Sequence, residues 1–305
     1  MLGAVAGLVL SAAAVGAQQQ EVTQVAEADF GLGTGPDDTP LFPVITPDPG
    51  QATADVPDVY ARGCQVAVED TEVVPCLSES ATTGDISVAV VGDSKIAQWL
   101  PALDAIAVEQ GWQLTSYTKS GCAFSSATQT VGDDTYPECV TWNEELEGLL
   151  VGAEPDFIVT SGVVSQAVDG DGKSQEAMSA GYVEKWNTMG ELGIPVVVIS
   201  DTPQPEPGVT PYECVAENMD NPNEACSWPS DGGSGSDTLL AAVDQVPTAT
   251  YLDMNQFVCQ QDVCSPVYRN VLTYRQGSHI TVTFVELLRE TLADQLVPAV
   301  EASLS

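Results

Sequence analysis

Ile86-Ser87-Val88-Ala89-Val90-Val91-Gly92-Asp93-Ser94-Lys95-Ile96-Ala97-Gln98-Trp99 reads as a buried strand that stops at Gly-Asp-Ser and turns directly into a helix. A continuous apolar run bounded by such a turn is the signature of a strand covered on both faces. Ser94 then sits at the carboxyl edge of a sheet, beside the N–H groups that open a helix, where a developing oxyanion is stabilised. Two readings fit the corner taken alone. Ser94 caps the helix, or it is a nucleophile. The second needs a general base, and the chain contains one histidine. His279 stands in Tyr274-Arg275-Gln276-Gly277-Ser278-His279-Ile280-Thr281, which reads as a polar loop before the last helix. A serine after the first strand and a histidine in the last loop suit a Ser–His pair at one edge of an α/β sheet.

Outward from this corner the pattern alternates strand and helix. Strands are expected at 87–91, 113–117, 156–160, 195–200 and 249–252. Helices are expected at 96–110, 142–151, 176–192 and 281–296, and a Pro-, Gly- and Asn-rich loop at 201–237. Short apolar strands separated by helices predict one three-layer α/β domain around a mostly parallel sheet of about five strands.

The 305 residues carry 8 basic and 44 acidic side chains, a formal charge of -36. Such a balance works against binding to nucleic acid and suits a solvated, acidic surface. Residues 1–17 are an apolar run without a positive n-region, read either as signal-like or as the remnant of a transmembrane helix. Residues 18–57 are rich in Pro and Gly and read as a linker, so the domain is expected over 58–305. The eight cysteines fall as neighbouring couples, Cys64–Cys76, Cys122–Cys139, Cys214–Cys226 and Cys259–Cys264. Local disulfides stapling the loops in an oxidising compartment are the expected use, with other connectivities open. No Cys-x-x-Cys accompanies the single histidine, so neither a metal nor another cofactor is expected.

Gly92-Asp93-Ser94 early and a histidine before the final helix resemble the SGNH (GDSL-like) hydrolase superfamily. Gly63-Cys64, Gln98-Trp99, Lys119-Ser120-Gly121-Cys122, Trp142-Asn143, Asp201-Thr202-Pro203, Glu213-Cys214 and His279-Ile280-Thr281 extend the match. Together they resemble the extracytoplasmic SGNH domain of membrane acyltransferase-3 proteins, over roughly residues 58 to 300. The resemblance implies a flavodoxin-like SGNH-hydrolase fold and an extracytoplasmic domain, membrane-anchored or secreted. It further implies acyl transfer, typically of acetyl, from a donor handled by a membrane bundle to a cell-surface glycan. Ser94 would be the nucleophile and His279 the general base.

Three departures bear on that expectation. Family members carry an Asp three positions before the histidine, where this chain has Gln276. Loss of such an acid costs a serine protease about 10⁴ in rate. The imidazole would then be oriented by the Gln276 amide, by Asp253 or by a backbone carbonyl. Lys95 stands where many members have His. With Lys119, Arg269 and Arg275 it forms a basic set that is either an anion-binding mouth for the substrate or simply paired with nearby acids. The Gly-x-Asn-Asp block is missing, so the oxyanion donors fall to the N–H groups of Ser94 and Gly121 and to Ser161. Two alternatives to glycan O-acylation follow. One is a secreted carbohydrate esterase, and the other a catalytically weakened glycan-binding or accessory domain.

Overall fold

Seven strands build the central sheet. They are β1 (Gln65–Val66), β2 (Cys76–Leu77), β3 (Ile86–Gly92), β4 (Trp112–Lys119), β5 (Phe157–Ser161), β6 (Val196–Ile199) and β7 (Ala249–Leu252). The computed structural model describes residues 44–163, 167–170, 172–230 and 234–305. Residues 1–17, read as signal-like or a membrane remnant, and the first part of the expected linker lie outside them. The order is β1–β4–β3–β5–β6–β7, parallel throughout, with β2 antiparallel on the outer side of β4. The five long strands thus run second, first, third, fourth, fifth, which is the flavodoxin-like order. Its switch point lies between β3 and β5, so the loops opening a crevice there are 93–94 and 162–163.

Alternation along the strands divides the core in two. Val88 and Val90 of β3, Phe157 and Val159 of β5, and Val197 and Ile199 of β6 face one layer. That layer is built by α1 (Ser94–Ala97), α2 (Leu100–Gln110), and the C-terminal helices α7 (Val282–Leu287) and α8 (Arg289–Ser303). Ala89, Val91, Ile158, Val196 and Val198 face the other. It is covered by α3 (Pro137–Ala153), α4 (Gln175–Glu191) and α6 (Ser236–Val243), whose Trp142, Trp186 and Leu239 are buried. Both layers exclude water from the sheet, which is why its strands read as unbroken apolar runs.

Five expectations change. The helix expected over 96–110 breaks after Ala97, because Pro101 near the start of α2 cannot donate into a continuous helix. The closing helix is two, α7 and α8, and the loop at 201–237 contains α5 (Pro211–Glu217) and the start of α6. The stretch before α7 is a hairpin rather than a loop: β8 (Tyr274–Gln276) pairs with β9 (His279–Ile280) around Gly277, whose φ is +51°. Residues 44–57 are packed onto the domain rather than linking to it. Pro49–Ala54 is a 3₁₀ turn capped by Asp48, Ile45 and Ala52 are buried, and Thr46 bridges Val271.

Candidate active site

The β3–α1 corner forms because Gly92 adopts φ +137°, and a Cβ there would lie 3.0 Å from the Ser161 carbonyl oxygen. Asp93, not Ser94, caps α1. One of its carboxylate oxygens accepts the Lys95 N–H at 2.7 Å and the other accepts the Val163 N–H at 2.9 Å. Asp93 therefore ties together the two loops of the switch point and leaves the Ser94 hydroxyl free of capping. Burial pushes the Asp93 carboxyl up to about 6, against the two N–H donors.

The freed hydroxyl meets His279. Ser94 Oγ lies 2.8 Å from Nε2, and Nδ1 lies 3.2 Å from the Gln276 carbonyl oxygen. A carbonyl only accepts, so the hydrogen-bond network assigns the proton to Nδ1 and leaves Nε2 to accept the Ser94 proton. The hairpin makes this possible, because its register sets Gln276 opposite His279. Of the three orienting groups considered from the sequence, the backbone carbonyl is the one in place. The Gln276 side chain is exposed, and Asp253 is exposed and accepts the Asn255 N–H instead. Burial, followed by the charges of Lys95 and Arg275, lowers the His279 pKa from 6.5 to about 3, while the Gln276 hydrogen bond opposes them.

The basic residues do not assemble into a mouth. Lys95 is fully buried, with its ammonium 2.7 Å from an Asp201 carboxylate oxygen. Lys119 is fully buried as well, donating to the carbonyls of Ala67, Val68 and Asp70 and lying 5.0 Å from the Tyr136 ring centroid. Both are internal cations, which corrects the reading of either as a substrate contact. Arg275 and Arg269 are also buried, their guanidinium groups near the rings of Tyr60 and Tyr268.

The oxyanion candidates divide in the same way. Among the described residues no acceptor takes the N–H of Ser94 or of Gly121, and both residues are partly exposed. Register pairs Gly92 with Thr118, so the turn carrying Gly121 leaves β4 beside the Ser94 corner. Disulfide Cys122–Cys139 fixes that turn, one of four that join the couples expected from the sequence. Ser161 is different. Its hydroxyl is fully buried without a hydrogen-bond partner, and a group sealed from solvent cannot receive a substrate oxygen. Among the described residues no cluster suited to a metal ion occurs.

Sequence reasoning gave no role to Asp201, Thr202, Gln98 or Ser278, all buried around this pair. The signal for the first two was their place directly after the most apolar strand, at the carboxyl edge of the sheet.

Residues 63–294 match the family described as SGNH domain (fused to AT3 domains). No curated protein matches the chain. Among solved structures, the lipopolysaccharide acetyltransferase periplasmic domain of Salmonella ser. Paratyphi A superimposes with a TM-score of 0.53 at 11% identity, covering 72% of this chain and 86% of that one. A GDSL-like lipase from Bacteroides thetaiotaomicron gives 0.37 at 10% identity, over 69% and 88%. A catalytic mutant of an acetylxylan esterase from Geobacillus stearothermophilus gives 0.39 at 11%, over 72% and 96%. At 11% identity the likeness to the first is one of fold.

Proposed function

Since the chain belongs to the family of SGNH domains fused to AT3 domains, we propose that it is an extracytoplasmic acyl-transfer domain that O-acylates, typically O-acetylates, a cell-surface glycan through Ser94 and His279. The contact that carries this reading is Ser94 Oγ to His279 Nε2 at 2.8 Å, with Nδ1 held by a main-chain carbonyl. The four disulfides suit an oxidising compartment.

In the first step Ser94 Oγ attacks the acyl carbonyl and its proton passes to Nε2. The N–H groups of Ser94 and Gly121 stabilise the oxyanion. The imidazolium then protonates the departing group, leaving an acyl ester on Ser94. In the second step Nε2 takes the proton of the acceptor hydroxyl as that oxygen attacks the ester, and the proton returns to Ser94. With water as acceptor the same steps make the domain an esterase. The donor is delivered by an AT3-type membrane bundle. With a carbonyl where a carboxylate stands in other members, the imidazolium gains no full counter-charge and the rate is low.

A fluorophosphonate probe tests the nucleophile. Labelling of the wild type, lost in Ser94→Ala and His279→Ala, is the expected result. An unlabelled wild type overturns the enzymatic reading in favour of an accessory, glycan-binding domain.

A further inference from the structure

Among the described residues no carboxylate serves as third member of the centre, yet His279 is held on both sides by the segment that carries the nucleophile. One residue before it, Ser278 is tied through every polar side-chain and carbonyl atom. The Lys95 ammonium lies 2.5 Å from the Ser278 hydroxyl and 3.1 Å from its carbonyl, besides reaching Thr202 Oγ1 and Asp201 at 2.7 Å each. The Thr202 hydroxyl donates to the same carbonyl, and Gln204 Nε2 donates to the Ser278 hydroxyl at 2.6 Å. One residue after His279, the Ile280 N–H donates to Gln98 Oε1 at 3.0 Å. Lys95 and Gln98 are fixed in turn, since Lys95 lies in α1 and the Gln98 N–H bonds back to the Ser94 carbonyl.

We propose that Lys95 and Gln98 are the positioning residues of this centre: a two-point clamp, borne on the nucleophile's own helix and its C-cap, that aims the imidazole through the main chain in place of a carboxylate. The proposal rests on the Ser94–His279 reading for its catalytic consequence, but its geometry stands on the clamp itself. A carboxylate partner orients the ring and also stabilises its charge. The clamp supplies the orientation alone. The charged groups facing the ring are Lys95 from α1 and Arg275 from its own hairpin, with Asp201 behind Lys95 at the end of β6. Burial first, and then the two cations, disfavour protonation of this uncharged base, so the ring is held ready but weakly basic.

Because His279 is the single histidine, its imidazole nitrogens are assignable by ¹H–¹⁵N NMR without further labelling. Three variants separate aim from fold. Lys95→Met with Asp201→Asn removes both buried charges together, which avoids stranding one carboxylate. Gln98→Leu removes the second point, and Gln98→Glu retains its acceptor oxygen. The expected result is roughly a 10²-fold lower kcat with little change in KM for the first two, and recovery in Gln98→Glu. The Nδ1–H tautomer of the wild type gives way to a mixture, and the double variant protonates at higher pH. Folded variants that keep the wild-type kcat, tautomer and titration overturn the clamp. If the wild type proves inert to fluorophosphonate, the enzymatic reading fails, and the imidazole spectra still decide whether the clamp exists.

Discussion

Among the described residues two lysines lie fully buried, and they are held in opposite ways. Lys95 sits beneath the candidate active site against a carboxylate, with hydroxyls and a carbonyl completing its shell. Lys119 sits at the carboxyl end of β4 against carbonyls of the loop that Cys64–Cys76 closes, with no carboxylate oxygen in contact among the described residues. The carbonyls solvate its charge incompletely, and burial lowers its pKa from 10.5 to about 8 against the pull of Asp70, Glu138 and Glu69. The difference separates two uses of an internal cation. Lys95 joins three distant parts of the chain around the Ser94–His279 pair. Lys119 fastens one loop.

Removing each lysine breaks or sharpens this contrast. Lys95→Met leaves Asp201 buried and uncompensated and is expected to cost about 3–5 kcal/mol. Lys119→Met leaves only carbonyls unpaired and is expected to cost about 1–3 kcal/mol. Urea denaturation measures both, and equal losses would erase the distinction.

The next largest effect is on pH. A base that protonates near 3 instead of 6.5 stays neutral through mildly acidic conditions. The acid limb of kcat/KM for a soluble ester therefore lies well below pH 5, measured in the pH range where the fold persists. A limb near 6.5 would mean that neither burial nor the charges of Lys95 and Arg275 act on the ring. Stability follows the same sign. Between 6.5 and about 3 the unfolded chain binds the histidine proton and the folded chain does not, so this group's contribution is lost as pH falls.

Gln276→Asp tests the missing charge from the other side. A carboxylate near the hairpin favours the imidazolium, so the acid limb rises and kcat is expected to gain roughly tenfold. An unchanged profile would show that the carbonyl keeps Nδ1 to itself.

The smallest effect is at alkaline pH. Between about 8 and 10.5 the folded chain has released the Lys119 proton while the unfolded chain retains it. Stability therefore gains from this group as pH rises through that window. Comparing Lys119→Met with wild type by denaturation at pH 8 and pH 10 isolates the gain.

Much of this was legible in the sequence because it is written locally. The strands of the sheet are apolar runs, and Gly92-Asp93-Ser94 is a local signal. A lone histidine beside the last helix needs only the fold class to be paired with it. The clamp was not legible. Lys95 reads as a surface charge, as most lysines are, and its burial arises from Asp201, Thr202 and Ser278, far along the chain. The hairpin escaped notice because Tyr274–Gln276 and His279–Ile280 are too short for an alternating pattern to show. Ser161 shows the converse error. Its type suits an oxyanion donor, but its hydroxyl is fully buried.

The segment that a compositional boundary would discard changes where this domain can be cut. Leu272 donates its N–H to Thr46, Val282 to the Asp55 carbonyl, and Thr283 to the Asp55 carboxylate. These three bonds flank the His279 hairpin on both sides. A truncation at residue 58, where the Pro-rich composition ends, strips all three and unpins the hairpin from its outer wall. One at residue 44 keeps them.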